Sequence, residues 1–87
     1  MVDFIILLNH LDTNSVVIED DEKFYNWFAE SQLERTQSEE ILYEGKKGTN
    51  LRTYAGLLRA SGTNFLKIRE RELIDSISKV PDGVLTI

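Results

Sequence analysis

The chain has 87 residues, of which 41% are hydrophobic and 29% are charged, and its formal net charge is −5. This length allows one small domain, and the composition is typical of a folded soluble chain. The absence of cysteine excludes a disulfide framework, a thiolate metal site and a cysteine nucleophile. No apolar run approaches the length of a membrane span, and Asp3 stands where a signal peptide would be basic. We therefore expect a cytoplasmic protein without a membrane partner.

The first twenty residues are predicted to form a β-hairpin. Residues 2–8 are apolar and rich in β-branched side chains, a pattern typical of a central strand. Turn-forming residues follow, and residues 16–19 form a second short apolar run.

The hydrophobic period then changes to that of a helix. Phe24, Trp27 and Phe28 fall at positions i, i+3 and i+4, which is one stripe of an amphipathic helix. This spacing predicts an amphipathic helix over residues 21–33, with Asp20 or Asp21 as its N-terminal cap. After a polar loop, a third strand is predicted at residues 40–45.

Residues 50–68 fit two incompatible predictions. As a helix-turn-helix, the segment would carry its apolar stripe at Leu51, Tyr54, Ala55 and Leu58. An arginine, however, stands where that motif usually has its turn glycine. As the end of a small β-rich domain, the same residues would form a turn and a final strand.

The second half of the chain resembles ubiquitin and its relatives. "ILYEGK" at 41–46 is similar to the third strand and turn of that family, and "NLRTY" at 50–54 to its leucine-and-tyrosine turn. "SGTNFLKIR" at 61–69 resembles the final strand. Together with the order of the predicted elements, the resemblance implies an α+β fold over residues 1–69: a ubiquitin-like β-grasp with a mixed sheet and one main helix.

Residues 70–87 are predicted to be a C-terminal extension packed on the same domain. A short helix is expected at 71–80, a turn at 81–83 and an added edge strand at 84–87. No Gly-Gly carboxyl terminus is present, so a non-conjugating relative is expected. The combined periodicities predict a buried core of Phe4, Ile6, Val17, Phe24, Phe28, Ile41, Leu51, Leu66 and Ile68.

Charge is distributed very unevenly along the chain. Residues 1–44 hold eleven acids and two bases, whereas residues 45–69 hold six bases and no acid. The basic stretch predicts either an internal complement to the acidic half or a binding face for an anionic partner. The residues predicted to bind a partner are Leu42, at the position of ubiquitin's apolar patch, and the bases Lys46, Lys47, Arg52, Arg59, Lys67 and Arg69.

The sequence contains no recognisable catalytic motif. His10 has no nucleophile at a known spacing, and neither "EDDE" nor "GKKG" has the pattern of a calcium or phosphate loop. We predict a non-enzymatic module without a cofactor or metal, monomeric or homodimeric, that binds a protein as an adaptor, subunit or inhibitor. One alternative is a nucleic-acid-binding protein that uses residues 45–69, through a β-face or a helix-turn-helix. Another is an acidic nucleic-acid mimic that uses residues 1–44.

Overall fold

The computed structural model describes residues 1–87 and consists of four α-helices and one two-stranded sheet. In chain order the elements are α1 Val2–Thr13, β1 Val17–Ile18, α2 Asp21–Gln37, α3 Tyr54–Arg59, α4 Thr63–Ser76 and β2 Leu85–Thr86. Short 3₁₀ turns lie at Lys46–Gly48 and Ile77–Lys79. None of the helices has the length and apolar content that crossing a membrane requires.

Helix α1 replaces the predicted first strand and turn. Asp3, Leu7 and Leu11, each four residues from the next, share the buried side of the helix. A run of aliphatic residues is compatible with a strand or a helix, and here the helical period is the one that brings all three side chains to buried partners. The predicted hairpin of the first twenty residues is therefore wrong.

Helix α2 confirms the predicted amphipathic helix and extends it to Gln37. The carboxylate of Asp20 accepts a hydrogen bond from the Lys23 backbone N–H at 3.0 Å, which makes it the N-terminal cap. Phe24 and Phe28 are both buried, as expected from their spacing.

The predicted third strand is reduced to a single antiparallel bridge between Tyr43 and Arg52. Between these two residues the chain makes a tight loop whose tip contains Lys47 and Gly48, with φ of 61° and 71°. Left-handed backbone is unfavourable for most residues other than glycine, and this local geometry ends the extended conformation that a strand would need.

Residues 50–68 are helical where the β-grasp requires a strand. Helix α3 ends at Arg59, and α4 continues without interruption from Thr63 to Ser76, across the boundary predicted between residues 69 and 70. The only sheet pairs Val17 with Thr86 and Ile18 with Leu85, antiparallel. A ubiquitin-like β-grasp needs a larger mixed sheet, so the predicted α+β, ubiquitin-like fold is wrong. The fold is mainly helical.

The core lies between α1, α2 and α4, with β2 closing one side. Its buried members are Leu7, Leu11, Phe24, Phe28, Leu73 and Val84. Of the predicted core, Phe24 and Phe28 are buried, and Phe4 and Ile6 pack against the core in part. Four other residues of the predicted core are exposed instead: Val17 (55%), Ile41 (46%), Leu51 (54%) and Leu66 (38%). Ile68 is half-buried and lies outside the core cluster.

Candidate functional site

A buried polar cluster, formed by Asp3, Gln32, Tyr54 and Arg69, contains one residue from each of the four helices. The Tyr54 hydroxyl donates to Asp3 Oδ2 at 2.5 Å, and Gln32 Nε2 donates to the same oxygen at 2.9 Å. Gln32 Oε1 in turn accepts from Arg35 Nε at 3.1 Å and from its Nη2 at 2.8 Å. The cluster therefore ties α1, α2 and α3 together through Asp3.

Arg69 brings α4 into the same cluster. Its Nε lies 3.3 Å from Asp3 Oδ1, but the two atoms are not aligned for a hydrogen bond, so the contact is an ion pair. Its Nη1 donates to the Leu57 carbonyl at 3.1 Å, near the end of α3. The prediction that Arg69 faces a partner from the last strand is wrong, because the guanidinium is buried between α1 and α3.

The pKa of the Tyr54 hydroxyl bears on what the cluster can do chemically. Burial raises the pKa of the Tyr54 hydroxyl, and the hydrogen bond to Asp3 and the charge of that carboxylate raise it further. The charge of Arg35 and the hydrogen bond to Gln32 act in the opposite direction. The hydroxyl is thus held protonated as a donor, which suits a structural role and not that of a nucleophile or base.

An open apolar groove of about 480 Å³ lies beside this cluster, between α1, α2 and α3. The residues that define the apolar groove are Met1, Phe4, Tyr25, Phe28, Leu33 and Leu58. The Phe4 ring stands edge-on to Phe28 and to Tyr25, with centroid distances of 4.9 Å and 5.8 Å. The floor of the groove is therefore aromatic. Gln32, whose amide is held in the polar cluster, also lines it.

Large apolar side chains stand exposed around the groove. Met1 is 76% exposed, Tyr25 59% and Leu33 57%, and all three line the groove. Scattered exposed apolar residues are ordinary, but a contiguous group around a concave surface is typical of a binding site. The apolar groove is the strongest candidate site of the molecule.

The remaining predicted partner-binding residues do not line the apolar groove. Lys46 and Lys47 are exposed at the tip of the loop before α3, and Arg59 is exposed at the end of α3. Leu42 and Lys67 come together in a shallow depression along α4. These residues are dispersed over the surface, and the prediction that they bind a partner is untested.

Arg52 is the exception within that group. Its guanidinium lies over the Phe65 ring at 5.1 Å from the centroid, and Tyr43 meets the same ring edge-on at 4.9 Å. These contacts fasten the basic loop, residues 44–51 with Lys46 and Lys47 near its tip, to the first turn of α4. Arg52 is therefore half-buried and holds the loop in place.

Neither a metal centre nor a related protein points to a function. The structure brings no three His, Asp or Glu side chains into a cluster that could hold a metal ion. No protein-family model matches the chain, and no curated protein or solved structure is significantly similar to it. The geometry and charge of the apolar groove are thus the basis for proposing a function.

Proposed function

We propose that the protein is a non-enzymatic interaction module that binds a segment of another protein in the apolar groove. The observation that carries the proposal is the group of exposed apolar side chains, Met1, Tyr25 and Leu33, around an aromatic floor. A buried aromatic anchor surrounded by apolar residues is the usual centre of a protein interface.

The exposure of these side chains favours a protein over a small apolar ligand. A ligand pocket of this volume usually encloses most of its ligand and buries the side chains that line it. Here Leu33 and Tyr25 project from the groove and would remain in contact with water around a small molecule. A protein segment is large enough to cover them.

The energetics require that several of these residues be covered at once. Full burial of one large apolar side chain is worth about 1.5–3 kcal/mol. Association costs an estimated 4–15 kcal/mol in lost translational and rotational freedom. Complete burial of Met1, Tyr25, Leu33 and Leu58 would contribute at most about 6–12 kcal/mol, which is of the same order as this cost. The loss of one of them should therefore have a large effect on affinity.

A peptide-display selection tests this proposal without knowledge of the partner. A random peptide library would be selected on the parent protein and depleted on Leu33→Asp, which places a charge at the mouth of the groove. Leu66→Asp is the matched control, because Leu66 is an exposed leucine on α4 that does not line the groove. Circular dichroism would confirm that both variants are folded.

We expect the selection to enrich peptides that bind the parent and Leu66→Asp but lose at least about tenfold in affinity on Leu33→Asp, because an unpaired buried charge costs several kcal/mol. Enrichment of peptides that bind Leu33→Asp as well as the parent would contradict the proposal. A selection that yields no binder would also contradict the proposal.

Nucleic-acid binding is a second candidate, and one observation favours it. Helices α3 and α4 flank a three-residue turn at 60–62, and the exposed Lys67 and Arg71 lie on α4 beside the basic loop. This is the local order of a helix-turn-helix, whose second helix contacts DNA. A protein with net charge −5 would have to concentrate all of its phosphate contacts on that one face.

Fluorescence anisotropy with labelled duplex DNA and single-stranded RNA at two salt concentrations tests this candidate. Submicromolar binding that falls steeply with salt and is abolished by Lys46→Glu/Lys47→Glu would establish it. Binding that is weak at both salt concentrations would remove it.

A further inference from the structure

Exposed acids gather beyond the Tyr25 end of the apolar groove, whose lining residues include no acid. Where α1 ends and α2 begins, Asp12 and Glu22 are both exposed. Asp12 lies about two helical turns beyond the groove residue Phe4, and Glu22 precedes Tyr25 by about one. Three more acids stand in the same connection: Glu19, Asp20 and Asp21. The only base in it, Lys23, lies 4.0 Å from Asp20.

The opposite end of the groove is less acidic. The exposed base Arg59 follows the groove residue Leu58 at the end of α3, and Arg35 is turned inward to the polar cluster. Glu39 and Glu40 are exposed just after the end of α2. The excess of acidic side chains is therefore on the side of Tyr25.

We propose that the occupant of the apolar groove is a basic amphipathic helix from another protein, an inference that rests on the proposed function. Its apolar stripe covers Phe4, Tyr25 and Leu33, and its Lys and Arg residues lie at the end that faces Asp12 and Glu22. Opposite charges at such an interface direct the encounter and select the partner.

The length and walls of the groove are those that a helix requires. Between Tyr25 and Thr36, which line its two ends, α2 rises by about 16 Å, or about three turns. The walls are helices whose backbone groups are bonded internally, so they offer no free edge for an added strand. A helix satisfies its own backbone and needs only an apolar stripe to bind.

A second copy of this chain is a poor occupant. Two copies placed groove to groove would leave both concave surfaces unfilled, and packing density at interface cores normally matches that of protein interiors. Each copy also carries a net charge of −5. A basic helix supplies both the convex shape and the opposite charge.

The test compares two labelled synthetic peptides of about 14 residues that share one apolar stripe. One carries three lysines at one end, and the other carries three glutamates at the same positions. Binding would be measured by fluorescence anisotropy at about 50 and 500 mM salt. The proteins are the parent, Leu33→Asp, the acidic-end variant Asp12→Lys/Glu22→Lys, and a control with the same change in net charge, Glu34→Lys/Asp75→Lys. Glu34 and Asp75 line a separate polar depression.

We expect the lysine peptide to bind the parent about tenfold or more tightly than the glutamate peptide at low salt, with a smaller difference at high salt. The acidic-end variant should lose at least about fivefold in affinity for the lysine peptide, and the control variant less than about twofold. Leu33→Asp should bind neither peptide.

Equal affinity of the two peptides, or a preference for the glutamate peptide, would overturn this inference. If binding still depended on Leu33, the proposed interaction groove would stand while the basic helix failed. A dimer of the parent that Leu33→Asp dissociates in sedimentation equilibrium would also overturn it, by showing that a second copy is the occupant.

Discussion

At the scale of single residues, the buried ion pair of Asp3 and Arg69 is the most consequential contact. The two residues are distant in the sequence, and both lie almost entirely out of water. Breaking a buried pair leaves one charge without its partner, whereas replacing both residues by apolar ones of similar volume is often tolerated.

We therefore expect Asp3→Leu and Arg69→Met each to lower the free energy of unfolding by about 3–5 kcal/mol. The double variant should lose clearly less stability than the sum of the two single losses, because neither charge is then left buried alone. It should remain less stable than the parent, because the Tyr54 hydroxyl and the Gln32 amide have lost their acceptor on Asp3. Urea denaturation of the four proteins gives the double-mutant cycle. Strictly additive losses would show that the two side chains do not interact.

Tyr54 gives the molecule a specific alkaline sensitivity. Its raised pKa means that the folded protein holds the hydroxyl proton more tightly than the unfolded chain does. The corresponding stability is complete below about pH 10, the ordinary tyrosine pKa, and is lost as the pH rises above it. We expect the free energy of unfolding to fall more steeply above about pH 10 in the parent than in Tyr54→Phe. Urea denaturation from about pH 8 to 11 measures both slopes, and parallel curves would contradict the role of Tyr54.

At the scale of elements, α4 shows where prediction from sequence failed. A strand at residues 65–69 would bury Leu66, whereas the helix buries Arg69 and Leu73, four residues apart, and leaves Leu66 partly exposed. A short apolar run fits either period. The buried Asp3, which pairs with Arg69, is a distant partner that no local sequence pattern reveals.

Two leucines of α4 distinguish these alternatives by stability. Leu73→Ala should lower the free energy of unfolding by about 2–5 kcal/mol, because the side chain is fully buried in the core. Leu66→Ala should change it by less than about 1 kcal/mol. Thermal and urea unfolding of both variants provide the comparison, and a larger loss for Leu66→Ala would contradict the helical structure of this segment.

Other elements could be predicted from the sequence. Helix α2 and its Asp20 cap followed from helical spacing and an N-terminal acid, and the turn at 81–83 with a following edge strand followed from proline and glycine. The apolar groove could not be predicted from the sequence. One of its walls is α1, where Met1, Phe4, Ile5 and Leu8 have the i, i+3, i+4, i+7 spacing of a helix, but the same residues also fit a strand.

At the scale of the whole molecule, packing and charge divide the surface into two regions. The polar cluster holds four helices together, the apolar groove opens beside it with acids at one end, and the basic loop and α4 present most of the exposed bases elsewhere. The uneven charge seen in the sequence thus corresponds to separate regions of the surface. The proposed function assigns protein binding to the first region.

Chemical-shift mapping tests that assignment most directly. Backbone amide spectra of labelled protein would be recorded during titration with a peptide enriched in the display selection. We expect the largest shift changes around Phe4, Tyr25, Leu33 and Leu58, and little change near Lys46 and Lys67. Changes concentrated around Lys46, Lys67 and the start of α4, with an undisturbed groove, would show that the apolar groove is not the binding site.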